Sequence, residues 1–159
     1  MTLKIGLVSL GCAKNLVDSE AMLGLLQKAG MEIVTDPAAA DVLVVNTCGF
    51  LQAAVAESEE TISQLASYKA TGRCRALIVT GCLTQRFKTE LLAAFPTVDA
   101  ILGTADLHRI TEVIARVLEG ETGLAWVGDG TFRYSEPLPR LLATPGYMAY
   151  VKLSEGCNH

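Results

Sequence analysis

Three apolar, β-branched runs constrain this chain more than anything else in it: "LKIGLVSL" at 3–10, "DVLVVNTCGF" at 41–50 and "RALIVTGC" at 75–82. The second and third are continuous rather than alternating, the pattern of strands buried on both faces. Each run leads into a segment with helical periodicity. "LVDSEAMLGLLQKAG" places Leu16, Met22, Leu23, Leu25 and Leu26 at helical spacing and ends in Gly30 as a C-terminal stop. "LQAAVAESEETISQLASYKA" closes before Gly72, and "QRFKTELLAAF" is stopped by Pro96. "MEIV" and "VDAILG" add two shorter strands, the last followed by the helix "ADLHRITEVIARVLEG". Strands alternating with helices imply a parallel sheet with right-handed crossovers. The expected fold class is therefore α/β: a flavodoxin-like doubly wound sheet of about five strands in the order 2-1-3-4-5, with helices on both faces, over residues 1–120.

After residue 120 the rhythm changes. Three of the five prolines, several turn signals and short strand-like runs fall in "GLAWVGDGTFRYSEPLPRLLATPGYMAYVKLSEGCNH". This stretch reads as a connector over 121–146, followed by the start of a further domain over 147–159, whose first strand is expected at Tyr147–Ser154. Trp126, in "AWVGDG", reads as packing.

Composition narrows the class. Half of the 159 residues are hydrophobic and 19% are charged, enough to build a sizeable core. A net charge of -4 and a pI near 5.2 give no overall basic balance of the kind nucleic-acid binding favours. The opening "MTLKIGLVSLGC" is too short and too alternating for a signal peptide. No apolar run approaches the roughly 18 residues of a membrane span. The expected compartment is the cytoplasm, where thiols stay reduced. Five cysteines, an odd number, also argue against a complete disulfide framework.

The cysteines map onto the strand ends. Cys12 follows the first strand, Cys48 the third and Cys82 the fourth, so a parallel sheet brings them to its carboxyl edge, where such folds bind ligands. With strands about 4.8 Å apart, neighbouring strands would hold them within roughly 10 Å. Each lies beside a glycine, in "LGCAK", "TCGF" and "TGCL", and glycine admits close approach to a bulky ligand. One strand-end cysteine is ordinarily a small core residue; three on one edge are not so easily assigned to packing. Cys74, between two arginines before a strand, reads as a spectator. Zinc usually takes four ligands, often as paired C-x2-C spacings, and no such pair occurs here. A [4Fe–4S] cluster with one open iron fits the three sulfurs better than zinc does.

"SLGCAKNLVDSE", "VVNTCGF", "TGCLTQR" and "YVKLSEGCNH" together resemble the amino-terminal part of the radical-SAM methylthiotransferases. The resemblance covers nearly the whole chain. It implies that Cys12, Cys48 and Cys82 bind an auxiliary [4Fe–4S] cluster that supplies or carries the sulfur. It also implies that Cys157 is the first ligand of a second cluster, in a Cys-x3-Cys-x2-Cys loop, on which S-adenosylmethionine binds. Two ligands of that loop would lie beyond His159, so the barrel would be truncated and this part alone inactive. "GCAKN" is similar to the branch that modifies an aspartate β-carbon in small-subunit ribosomal protein twelve, with Ala13 where that branch typically has proline. The transfer-RNA adenosine branch typically has Gln-Met-Asn after the cysteine. The implied partners are that ribosomal protein and an electron donor such as flavodoxin or ferredoxin, with no membrane and no direct nucleic-acid contact by this part.

Other residues carry two readings each. Lys14 is either a solvated loop charge or a cation beside the cluster. Asn15 is expected as a helix N-cap, with a place near the cofactor as the alternative. Asn46, Gln85 and Arg86 are candidate neighbours of the cofactor; backbone N–H groups near Thr84, Gln85 and Arg86 would suit cluster sulfide. His108 and His159 have no partner at metal spacing. A different class stays open: a non-catalytic flavin- or nucleotide-binding module. Against it, the phosphate fingerprints G-x-G-x-x-G and G-x4-G-K-[ST] are both missing.

Overall fold

The computed structural model describes residues 1–129 and 137–154. Six strands form one parallel sheet: β1 (Lys4–Ser9), β2 (Glu32–Val34), β3 (Val42–Thr47), β4 (Ala76–Gly81), β5 (Ala100–Leu102) and β6 (Leu124–Trp126). Their order is β2-β1-β3-β4-β5-β6, the expected doubly wound topology extended by one strand. β6 is one strand more than the five expected. It lies inside the stretch read as connector and pairs with β5 through Ala100↔Leu124 and Leu102↔Trp126. Three residues are too few to show a pattern in sequence; the open edge of β5 recruits them. Trp126 packs there under two guanidinium groups, Arg109 at 3.6 Å and Arg116 at 5.2 Å from the ring.

Alternation along the buried strands sends side chains to opposite faces. Val42, Val44, Ala76 and Ile78 meet Met22 and Leu26 of α1 (Ala13–Lys28) and Ile110, Val113 and Ile114 of α5 (Ile110–Leu118). Leu43, Val45, Leu77 and Val79 meet Ile62 and Leu65 of α2 (Gln52–Thr71), Leu83 of α3 (Cys82–Phe87) and Leu91 of α4 (Thr89–Ala94). Helices thus cover both faces, and β3 and β4 are buried along their full length.

Three expectations are corrected. The helix expected over "QRFKTELLAAF" is two short helices divided at Lys88, whose φ of 50° breaks the helical path. Asn15 does not cap α1. Cys12 occupies the N-cap with no capping hydrogen bond from its side chain, and Asn15 sits one turn in, buried. The strand expected at Tyr147–Ser154 is not formed among the described residues. A strand needs a partner for its backbone groups, and Tyr147, Val151 and Leu153 stand in solvent instead.

The segment 138–152 nevertheless has a defined course back over α1. Pro139 crosses at Gly24, where an added Cβ would lie 2.3 Å from the Pro139 carbonyl oxygen. Glu20, fully buried, pairs with Arg140 and accepts a hydrogen bond from the Ala143 N–H at 3.0 Å. Arg140 also donates to the Tyr150 carbonyl at 2.9 Å, and Lys152 reaches Asp18 at 2.6 Å. A charged residue on the apolar side of α1 was the available sequence signal for this strap. No helix among the described residues is long and apolar enough to cross a membrane.

Candidate metal centre

The three strand-end cysteines open on one cavity of about 620 Å³ at the carboxyl edge of the sheet. All three are free thiols: Cys12 is exposed, and Cys48 and Cys82 are half-buried. Cys12 enters from the β1–α1 turn, Cys48 from the end of β3 and Cys82 as the first residue of α3. Phe50, Leu51 and Ala54 give the cavity an apolar wall, and Lys14 and Lys152 line it as well.

The glycines beside the cysteines have a different use from the one expected. They make room for neighbouring loops rather than for a ligand. A Cβ at Gly11, whose φ is +87°, would lie 2.9 Å from both Asn15 Nδ2 and the Cys48 Cβ. One at Gly49 would lie 2.7 Å from the Leu83 backbone. At Gly81, φ +102°, it would lie 2.4 Å from the Thr47 carbonyl oxygen and 2.5 Å from Asn46 Oδ1. Glycine alone tolerates both the positive φ and the contact. The cysteine loops are thereby pressed against one another.

A buried polar network underlies them. Asn15 Nδ2 donates to the carbonyls of Leu10 at 3.0 Å and Thr47 at 2.9 Å. Asn46 Nδ2 donates to the Asn15 carbonyl at 2.7 Å and to Ser19 Oγ at 2.9 Å, and Ser19 donates to Ser9. Thr47 Oγ1 donates to the Thr80 carbonyl at 2.6 Å. Ser58 Oγ donates to the Cys48 carbonyl at 3.0 Å. Asn46 lies within this network, not on the cavity wall. Gln85 and Arg86 do reach the wall, but their heads bind backbone. Gln85 Nε2 donates to the Gly128 carbonyl at 2.8 Å and its Oε1 accepts the Thr104 N–H at 3.2 Å; Arg86 donates to the Gly49 carbonyl at 2.8 Å. Thr84 turns inward to the carbonyls of Gly81 and Leu102. Sequence reasoning missed Ser19, Ser58 and Thr104, because isolated hydroxyl residues carry no pattern.

Cys74 is apart from the site. It is buried at the opposite edge, its Sγ 3.2 Å from the Ala76 carbonyl, and burial pushes its thiol pKa up. Cys157 and His159 lie outside the described residues.

The donor set fits an iron–sulfur cluster. Thiolates are the general ligands of such clusters. Among the described residues no three His, Cys, Asp or Glu side chains are grouped tightly enough to hold one ion. The three cysteines line one cavity, and the ligands of a cluster sit on separate irons and need not meet at one point. A single zinc ion needs its ligands to converge.

A parallel α/β domain with thiols gathered at its carboxyl edge defines the class in physical terms, and comparison with known proteins gives the family. The chain belongs to the family described as "Uncharacterized protein family UPF0004", which matches residues 4–103. It is 53% identical over 155 residues to the ribosomal protein uS12 methylthiotransferase RimO of Desulforamulus reducens, covering 98% of this chain and 35% of that protein. It is 51% identical over 159 residues to the protein of the same name from Heliobacterium modesticaldum, covering 100% of this chain and 34% of that protein. The chain therefore spans about a third of the length of these relatives. The similarity bears out the resemblance to the amino-terminal domain of the methylthiotransferases.

Proposed function

We propose that this chain is the auxiliary-cluster domain of a methylthiotransferase that modifies an aspartate β-carbon of ribosomal protein uS12. Cys12, Cys48 and Cys82 are its three cluster ligands, and Cys157 is the first ligand of a second cluster at which S-adenosylmethionine binds. The observation that carries the reading is the opening of three free thiols, from three separate loops, on one cavity. The substrate comes from the names of the relatives and from the "GCAKN" wording.

When bound, the two clusters and S-adenosylmethionine supply radical hydrogen abstraction and delivery of a methylated sulfur. The residues of this chain hold, shield and orient. Thiolates of Cys12, Cys48 and Cys82 anchor the group at the carboxyl edge. Phe50, Leu51 and Ala54 keep water from one side of it. Lys14 and Lys152 on the wall place positive charge beside a thiolate-ligated, anionic group. Arg86 and Gln85 hold the surrounding loops rather than the group itself. The cluster domain extends through β6, with the strap leading into the next domain. A small electron carrier such as flavodoxin or ferredoxin supplies electrons in the cytoplasm.

Anaerobic reconstitution tests the site: one cubane of iron and sulfide per chain, with broad brown absorbance, is expected. Zinc without iron, or structured flavin bands, would overturn it. The substrate is tested by mass spectrometry of ribosomal protein uS12 from cells with and without the parent gene. Loss of the methylthio increment on the aspartate is expected. Loss of methylthio-adenosine from transfer RNA, with the protein unchanged, moves the substrate to RNA and leaves the cluster reading intact.

A further inference from the structure

We infer that Asn15 is the positioning residue of this centre, its single carboxamide tying the three cysteine-bearing segments together before any metal arrives. The inference rests on the reading of Cys12, Cys48 and Cys82 as ligands, and it concerns what holds them in ligating order. Asn15 is 3% exposed and stands in the first turn of α1, whose N-cap is Cys12. A side-chain amide has two N–H donors and one acceptor oxygen. Both donors are committed. One goes to the Leu10 carbonyl, two residues before Cys12, and the other to the Thr47 carbonyl, next to Cys48. Those two carbonyls set the orientation of the amide, so Oδ1 must face the other way. It faces Cys82, whose Sγ lies 3.8 Å away and donates to it.

The one carboxamide thus reaches all three segments. Asn46, equally buried, bonds the Asn15 carbonyl and Ser19 in α1, with no side-chain hydrogen bond to the Cys82 segment. Two further features favour Asn15 at this point. The Asn46 bond to the Asn15 carbonyl fixes its backbone, and Gly11 leaves the space through which the amide passes, since a Cβ there would lie 2.9 Å from Nδ2. Groups that orient metal ligands without touching the metal typically change affinity by about 10- to 100-fold when removed. Asn15 occupies that place here.

The test compares Asn15→Ala with Ser19→Ala in the 159-residue chain. Ser19 belongs to the same buried network and touches no cysteine, so it controls for stability. Three quantities are read: the thermal midpoint, iron affinity on anaerobic reconstitution, and alkylation of each cysteine in the metal-free protein. Peptide mass spectrometry gives the last, with buried Cys74 as the internal reference. The expected result is folded Asn15→Ala protein with iron affinity reduced about 10- to 100-fold and Cys82 alkylated several-fold faster relative to Cys74. Ser19→Ala should lose midpoint temperature with neither change. Equal loss of iron in both variants, with an unchanged alkylation pattern, would reduce Asn15 to a structural residue and overturn the proposal. Asn15→Ser, which keeps one donor, covers the case in which the alanine variant does not fold. Wild-type protein that takes up no iron would instead sink the ligand reading; the alkylation pattern, measured without metal, still decides the role of Asn15.

Discussion

At the amino edge of the sheet, where backbone N–H groups leave the strands, Asp41 accepts from the Lys4 N–H at 2.8 Å and from Arg73 at 2.8 Å. Asp99 likewise accepts from the Leu77 N–H at 2.8 Å and from Lys69 at 2.6 Å. At the carboxyl edge carbonyls leave the strands, and the side chains that meet them are donors: Asn15, Thr47, Ser58, Thr84 and Arg86. A parallel sheet presents donors along one edge and acceptors along the other, and buried backbone groups need partners. Each edge has recruited the complementary residue type. The two differ in what remains afterwards. Carboxylate, guanidinium and ammonium close the amino edge, and its cysteine, Cys74, is packed away. Amides, hydroxyls and glycines tie the carboxyl edge while leaving a cavity with three thiols facing it.

Cysteine replacement should separate the edges most sharply. Alanine at Cys12, Cys48 or Cys82 should abolish or strongly reduce iron loading, since two thiolates hold a cubane poorly. Cys74→Ala should load normally, and Cys157→Ala should leave the auxiliary cluster in place. Iron content and absorbance read the result; a colourless Cys74→Ala beside a brown Cys12→Ala would reverse the assignment of the edges.

Glycine replacement comes next. Gly81→Ala forces a side chain into φ +102° and against the Thr47 carbonyl oxygen at 2.4 Å, so a loss of about 3 kcal/mol or more is expected. Gly120→Ala has a similar φ of +106° but open space around it, and should cost only about 1 kcal/mol. Denaturant unfolding of the pair isolates the price of pressing the cysteine loops together. Equal losses would mean that backbone conformation alone explains these glycines.

The strap offers a third contrast. Arg140→Ala leaves the buried Glu20 carboxylate without its cation, at a cost of about 2 kcal/mol. Hydrogen exchange should rise over 138–152 while β3 and β4 stay protected. A uniform rise would show that the strap supports the whole fold.

The smallest effect concerns acid. Burial pushes the Asp41 carboxyl up, but the Lys4 N–H, the Arg73 guanidinium and the charge of Arg75 together hold it below its ordinary value of 3.8. Because the folded-state value is the lower one, its stabilising contribution is complete above about pH 4 and disappears as pH falls through the folded-state value. Asp41→Asn should be less stable at neutral pH and show a flatter acid limb in its stability profile. A parallel acid limb in both proteins would place the acid sensitivity elsewhere.

Much of the fold was legible because local pattern and burial coincide. The continuous runs at 42–47 and 76–81 are the two strands covered on both faces, and the helix of α1 ends at the glycine that stops it. What escaped were elements defined by their partners. β6 exists because β5 has an open edge, and the strand expected at 147–154 does not form where none of the described strands pairs with it. The cysteines were legible as a set, since strand ends of a parallel sheet necessarily share an edge. Asn15 was misread as a cap, because Asn near a helix start has the same local pattern whether it serves its own helix or three separate loops.

Sequence by itself determined the α/β class, the strand order through β5, the edge that bears the thiols and the family to which they belong. Each follows from periodicity, from the handedness of crossovers or from short motifs, all of which are local. Tertiary structure decided which contacts the glycines accommodate, where the amide of Asn15 points and how Glu20 captures Arg140. Those are contacts between segments tens of residues apart, up to 120 in the last case. Their energy depends on distance and burial in three dimensions, which no local pattern encodes.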